Sequence, residues 1–339
     1  MRPTGITVAT LNLYLGADLA PLFGAGTRDE LARRAAGIWS AVEASRPAER
    51  MAAVAALLTR YLPDVLALQE AALWRAGSDD NPRTHDLLNQ LLSALEEQGT
   101  PYRVVSECTG FTSTALSSTL ASATGQFVEL YDRTALLVRD DPSVRASNAR
   151  QGRYRAGVQT AMLGHPLEIT RGWCSADVRV GRVGLHVIDT HLESIDTPTR
   201  IAQAHELATE IIHPPDNRPP TIVMGDLNCR PTRCRAVRDQ VPVRAREVTG
   251  DAYEVLTGVG LLDAWSRLYP EEHCGGFTSG QAPDLRNPIS ALDHRIDYVF
   301  TDGQMAATHA HVIGDHLEER TLSGLWPSDH GFLVVGLEV

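Results

Sequence analysis

The sequence predicts an α/β protein. Short apolar runs of strand character recur along the chain, helical stripes are inserted at two main places, and no linker or internal repeat divides the 339 residues. One domain spanning 1–339 is therefore expected, although the length alone would also allow two. With 43% hydrophobic and 22% charged residues, the composition is that of an ordinary soluble globular protein with an ample core. No apolar stretch approaches the roughly 18 residues of a membrane span. Residues 1–5 lead directly into a strand, with no apolar leader and cleavage site, so a cytoplasmic location is the expectation.

Residues 6–11 read as the first strand, ending in Asn12-Leu13-Tyr14-Leu15-Gly16. A helical pattern covers 28 to about 42. A second begins at Pro47, a good first-turn residue, and carries Val54, Leu57, Leu58 and Tyr61 before Pro63-Asp64 breaks it. Residues 65–70 form a short apolar strand ending in the polar pair Gln69-Glu70. Residues 86–97 are helical, with Leu87, Leu88, Leu91, Leu92 and Leu95 making one core-facing stripe. Residues 109–125, rich in Ser, Thr, Ala and Gly, predict a long loop near the substrate edge. Strands resume at 131–138, 172–178 and 183–191, and a helix at 199–212 precedes another strand. The last block holds Arg295-Ile296-Asp297-Tyr298-Val299-Phe300, then Trp326-Pro327-Ser328-Asp329-His330 and a closing strand at 332–337.

The sharpest local signal is Ile222-Val223-Met224-Gly225-Asp226-Leu227-Asn228-Cys229-Arg230-Pro231. In an extended segment, Asp226 and Asn228 project to one side and Leu227 points back into packing. Gly225 permits a tight backbone exit and Pro231 stops further pairing, while an Asx-type turn explains the same residues. Other strands end in a similar vocabulary: Asn12, Glu70, His191, Asp297, and Asp329 with His330. Polar residues at strand ends collect at the rim of a sheet, where they can form a pocket. Taken singly, each has an ordinary explanation: Glu70 as a surface acid, His191 as a satisfied core histidine, Asp297 as a partner of Arg295, and Asp329-His330 as a turn.

Cysteines at 108, 174, 229, 234 and 274 are odd in number and form no C-x-x-C pair, which argues against a disulfide framework or a structural zinc site and for reduced thiols. The formal net charge of −11 argues mildly against a nonspecific duplex binder. Arg145, Arg150, Arg153 and Arg155 form a basic strip, read as an exposed arginine-rich loop or as the lining of a strand groove.

The ordered set T-L-N-L, A-L-Q-E, D-T-H-L-E, G-D-L-N, R-I-D-Y-V-F and S-D-H resembles the endonuclease/exonuclease/phosphatase superfamily over about residues 6–338. That group includes pancreatic-type deoxyribonucleases, apurinic endonucleases, inositol polyphosphate phosphatases and neutral sphingomyelinases. The resemblance implies a four-layer α/β/β/α sandwich of two packed mixed β-sheets flanked by helices, with the site at one end of the sheets.

Hydrolysis of a phosphate ester by in-line water attack builds negative charge on the phosphoryl and leaving oxygens, and so calls for a cation, a base and donors. Carboxylates and carboxamides without cysteine suit a hard ion such as Mg²⁺, with Mn²⁺ as a substitute. By resemblance, Glu70, Asn12 and Asp329 hold the metal, Asp226 orients or deprotonates water, and Asn228 and His191 donate to phosphate. Asp297 holds His330 against the scissile phosphate, and either Asp226 or His330 is the formal base.

Tyr14 stands where apurinic endonucleases carry an acid, so that subfamily is disfavoured, and Tyr14 is read as core or as a substrate-stacking ring. The segments around Tyr14 and around Arg171 to Asp177 resemble a bacterial branch of the superfamily. Arg171 and Asp177 either reach the substrate or form a structural pair, and Arg153 is a further substrate-binding candidate. The leading expectation is a phosphodiesterase or phosphatase acting on a small-molecule or lipid-like phosphate. A Mg²⁺-dependent nuclease is the alternative. A non-catalytic binding protein or a site turned to non-hydrolytic chemistry is disfavoured, because Glu70, Asp226, Asp297 and His330 are all retained.

Overall fold

The buried strand pattern at the start of the chain forms β1 (Gly5–Asn12), covered on both faces in its second half. The computed structural model describes residues 5–78, 80–113, 127–163, 165–212, 219–232, 234 and 251–338. Helix α1 (Arg28–Ala44) starts where the Thr27 hydroxyl accepts the Glu30 N–H, and α2 (Pro47–Tyr61) starts on Pro47. Then come β2 (Val65–Gln69), β3 (Leu73–Ser78), β4 (Asn81–Asp86) and α3 (Leu87–Glu97), which Asp86 caps. A run of strands follows: β5 (Tyr102–Thr112), β6 (Phe127–Arg139), β7 (Val144–Arg153), β8 (Val158–Met162), β9 (His165–Ile169), β10 (Gly172–Val180) and β11 (Val183–His191). Helix α4 (Thr197–Glu206) and β12 (Thr221–Asp226) lead to α5 (Ala252–Gly258), β13 (Leu262–Asp263) and α6 (Ala264–Leu268). The described chain closes with β14 (Asp297–Thr301), β15 (Ala306–Ile313) and β16 (Phe332–Glu338).

One sheet runs β15-β16-β1-β2-β6-β3-β4 with β5 also on β6, and the other runs β13-β14-β12-β11-β10-β7. Both are mixed, with β1–β2 and β11–β12 parallel and their other neighbours antiparallel. Their inner faces meet through Ile6, Val8, Leu136, Val187, Met224 and Val299. Trp39, Leu57 and Leu91 cover the outer face of the first sheet, and Leu207 and Leu256 cover that of the second. The expected α/β/β/α layering is thus present. No helix among the described residues is long and apolar enough to cross a membrane.

Three expectations need correction. Residues 109–112 continue β5 rather than opening a loop, while 114–126 lie outside the described residues. The basic strip is mostly β7, an edge strand whose polar side chains protect an open edge, rather than a loop. Arg150 there packs over the Trp173 ring and Arg155 pairs with Glu206 and Glu210, so the charges are partly spent. Finally, Cys234 and Cys274 form a disulfide across a sequence separation of 40, leaving Cys108, Cys174 and Cys229 as buried thiols. Counting cysteines missed it because folding, not spacing, brings this pair together.

A polar chain crosses the apolar interior between the sheets. The Thr10 hydroxyl donates to Gln69 Oε1 at 3.2 Å, and Gln69 Nε2 donates to Asp189 Oδ1 at 2.7 Å. Burial raises the Asp189 carboxyl well above its usual range, so the folded chain keeps a proton that the unfolded chain releases. Stability from this group is present at low pH and falls as pH rises from the ordinary aspartate range toward the folded value. Asp189→Asn should therefore gain on the parent in denaturation midpoint as pH rises from about 4 to 8. A difference that does not change with pH would refute a neutral Asp189.

Gly225 is fixed by geometry. At φ 143°, a Cβ there would stand 1.9 Å from the Thr190 carbonyl oxygen on β11. Gly225→Ala is expected to cost about 3 kcal/mol or more, as backbone strain adds to displacement of the neighbouring strand. Urea denaturation measures this, and a loss below about 1 kcal/mol would show that the strand yields freely.

Candidate functional site

Strand register explains how residues far apart in sequence meet. Parallel pairing sets Asn12 beside Gln69, with Glu70 next along the chain, and parallel pairing of β11 with β12 sets His191 beside Asp226. Antiparallel pairing places Asp297, the first residue of β14, opposite Asp226, the last of β12. Residues 328–330 lead into β16, which pairs with β1. Because the sheets pack face to face, Asn12 Nδ2 reaches Asp226 Oδ2 at 3.0 Å.

Local turns aim the side chains. Asn12 Oδ1 accepts the Tyr14 N–H at 3.0 Å, and Asp226 Oδ1 accepts the Asn228 N–H at 2.8 Å. The Asx turn and the convergence of acid and amide are therefore both real. Asn228 has left the extended conformation (φ 51°), and Leu227 is buried in the core. Asn228 Nδ2 lies 3.1 Å from His191 Nε2 and donates to the Leu192 carbonyl at 3.0 Å, so this amide must leave one partner to reach a phosphoryl oxygen. Glu70 also takes a positive φ, and its Oε2 accepts the Leu15 N–H at 2.7 Å.

His330 Nδ1 lies 2.8 Å from Asp297 Oδ2, and His330 Nε2 lies 3.9 Å from Asp226 Oδ2. His191 Nε2 is 3.7 Å from that same oxygen. Burial opposes a charge on His330, but Asp297, Asp329 and Asp226 outweigh it and hold the imidazolium well above the usual histidine range. His191 goes the other way: burial, Arg171 and His330 keep it neutral. Burial and Asp297 push Asp226 up to about 7, against the pull of His330 and the donors Asn228 and Asn12. Two histidines and one acid are thereby poised differently within one pocket.

Arg171 organises the adjoining wall. Its guanidinium lies 3.0 Å from Asp132, 3.5 Å from His191 Nδ1 and 3.7 Å from Glu193. Burial raises Asp132 to about 7 despite Arg171. Arg50, fully buried, donates to the carbonyls of Leu13, Tyr14, Ser45 and Pro327. The Ser328 hydroxyl donates to the Asn12 carbonyl at 2.7 Å and accepts the His330 N–H. These contacts fasten the loop after β1 to the loop before β16.

The donor set fits a hard divalent cation. Burial raises the carboxyls of both Glu70 and Asp329, with Asp329 adding to the rise of Glu70 and Asp297 to that of Asp329, and neither has an ion-pair partner among the described residues. Such an excess of anionic oxygen is relieved by a metal ion. Asp226, Asp297 and His330 also bring ligand atoms within 4.8 Å of one another, but a protonated His330 bonded to Asp297 has no lone pair to offer. Asp297 Oδ1 is buried without a partner among the described residues.

Asp177 does not join this cluster. It faces His186 at 2.8 Å and Asn148 at 2.7 Å, and lies opposite His186, five residues back along β11 from His191. That is about 17 Å at strand spacing, so Asp177 bonds at mid-strand, with His186 and Asn148 rather than with Arg171, which pairs with Asp132 and Glu193 at the strand end. Arg153 lies at the near end of β7, but its Nε donates to the Thr109 carbonyl and the side chain is exposed. Tyr14 is largely core: its ring packs with Leu285, Leu325 and Trp326, and its hydroxyl donates to the Pro283 carbonyl. Sequence reading missed Asp132, Glu193 and Arg50. Glu193, in D-T-H-L-E, was the one with a visible signal.

The chain matches the model of the Endonuclease/Exonuclease/phosphatase family over residues 9–330. No curated protein matches it in sequence. Among solved structures it is similar to the mannosyl-6-phosphatase of Bacteroides thetaiotaomicron (18% identity, TM-score 0.56, covering 98% of this chain and 100% of that one). It is also similar to D. rerio TDP2 complexed with a single-strand DNA product (16%, 0.53, 99% and 99%). A third is an endonuclease/exonuclease/phosphatase family protein from Leptotrichia buccalis (14%, 0.56, 98% and 100%). At these identities the likeness to solved structures shows the fold.

Proposed function

Because this chain belongs to the endonuclease/exonuclease/phosphatase family of metal-dependent phosphoesterases, we propose that it is a Mg²⁺-dependent hydrolase of a small-molecule or lipid-like phosphate ester, built as one catalytic domain. The observation carrying this reading is the convergence of Asp226, buried and near neutrality, with Asn12 and the Asp297–His330 pair. Glu70 and Asp329, with Asn12, would hold the ion, which would offset charge developing on the phosphoryl oxygens. Asp226 takes a proton from the attacking water. The His330 imidazolium, oriented by Asp297, faces the phosphoryl group and neutralises its growing charge. His191 and Asn228 orient the phosphate, and Arg171 holds His191 in place.

The net charge of −11 favours a compact substrate over a nucleic acid strand, whose phosphate backbone a broadly acidic protein repels. Purified protein with Mg²⁺, Mn²⁺ or chelator would be assayed on bis-p-nitrophenyl phosphate, sugar phosphates, inositol phosphates, sphingomyelin and plasmid. Turnover of a small or lipid ester, abolished by chelator, is expected. Salt-sensitive plasmid nicking as the dominant activity would transfer the assignment to a nuclease. Glu70→Gln should raise the Mg²⁺ concentration for half-maximal rate by about 100-fold or more. An unchanged requirement would remove Glu70 from the metal site.

A further inference from the structure

We propose that Cys234, His273 and Cys274 form a second, redox-gated metal site that takes a soft divalent ion such as Zn²⁺ once the disulfide is reduced. Each of the three residues brings one ligand atom within 4.8 Å of the other two. All three are half-buried and accessible to a reductant, whereas Cys108, Cys174 and Cys229 are buried. His273 Nδ1 lies 3.1 Å from the Pro270 carbonyl. A ring nitrogen donating to a carbonyl leaves the other with its lone pair, the state in which imidazole ligates. Two thiolates and an imidazole select zinc-like ions, while the oxygen donors around Glu70 select hard ones, so the two sites separate by ligand chemistry.

Three protein ligands leave one tetrahedral position for water. Beside the cysteines lies a pocket of about 30 Å³, lined also by Asp293 and His294, room for about one water molecule. The site also bridges two walls of the catalytic pocket. Cys234 lies six residues beyond Asn228, and its N–H bonds to the Pro231 carbonyl. Cys274 lies four residues before Thr278, whose hydroxyl accepts the Asp297 N–H and whose carbonyl accepts the Gly331 N–H. Either the disulfide or a bound ion ties these walls together. The reduced, metal-free form does not.

The chemistry balances with a dithiol as reductant. The dithiol supplies two electrons and two protons and closes to its own cyclic disulfide, giving two cysteine thiols. Binding of the divalent ion then releases both thiol protons, and His273 adds a neutral lone pair.

Full-length protein, oxidised or reduced with dithiothreitol and desalted without oxygen, would be saturated with Mg²⁺ and titrated with Co²⁺. The reduced form is expected to bind one Co²⁺ more than the oxidised form, with thiolate-to-cobalt charge-transfer absorption that Zn²⁺ abolishes. Bound Zn²⁺ should also restore the thermal midpoint lost on reduction. Cys234→Ser and Cys274→Ser should lose the absorption, and His273→Ala should weaken binding about tenfold or more. Equal Co²⁺ stoichiometry in both forms, with two additional free thiols counted in the reduced protein, would overturn the proposal. None of these readouts depends on catalysis, so failure of the phosphoesterase reading and failure of this one are distinguishable.

Discussion

Asp226→Asn should lower kcat by about 10³-fold or more while leaving KM within about threefold, because it removes a proton acceptor used only in the transition state. The side chain sits 3.0 Å from Asn12 Nδ2, 3.7 Å from His191 Nε2 and 3.9 Å from His330 Nε2, so an amide of equal size can keep the packing. Burial and Asp297 raise the carboxyl to about 7. A base must be ionised to accept a proton, so the parent's rate should rise with pH through the region near 7 and level off above it. The variant's residual rate should lack that limb. An acid limb that survives in Asp226→Asn would assign it to another group, and Asp132, also raised to about 7, would be the next residue to test.

His330→Ala is expected to lower kcat by about 10²–10⁴-fold, far more than it raises KM. Asp297, Asp329 and Asp226 hold the imidazolium against its burial, so the parent should keep His330 charged through neutral pH and lose activity only above the usual histidine range. That alkaline limb should vanish in the variant. Asp297→Asn tests the pairing separately: it keeps the ring but removes the anion 2.8 Å from Nδ1, so the alkaline limb should move to lower pH. Denaturation curves would establish that each variant is folded, with His330→Gln as a replacement closer in size. An unchanged kcat in folded His330→Ala would remove His330 from the reaction.

Much of this was legible in the sequence where chemistry and periodicity coincided. Helices α1, α2 and α3 begin within a residue of where the helical pattern and Pro47 place them, and Asn12, Glu70, His191, Asp226 and Asp297 lie at or next to the ends of strands read from largely apolar runs. Strands β4 and β7 were missed because as edge strands they carry Asn81, Arg83, Arg145 and Asn148 where buried strands carry Val or Ile. Arg171 and Asp177 looked alike, since both are charged residues in one strand segment. Register separates them: Arg171 reaches His191 at the strand end, while Asp177 lies opposite His186 at mid-strand. Arg50 had no signal, because an arginine in an amphipathic helix ordinarily faces solvent and nothing local tells that this one ends on four carbonyls.

Those carbonyls, together with the Ser328 hydroxyl that donates to Asn12 across a separation of 316 residues, make the pocket a late product of chain synthesis. When β1 and β2 emerge from the ribosome, Asn12 and Glu70 have neither Asp226 to meet nor β16 to flank them. Helices α1 to α3 can pack early, but the last strand must dock beside the first before the two site-bearing loops are held together. Contacts spanning nearly the whole chain close slowly, because loop entropy is lost before they reward it. During refolding, turnover should therefore return after the helical signal, so activity reports that both ends of the chain have found each other.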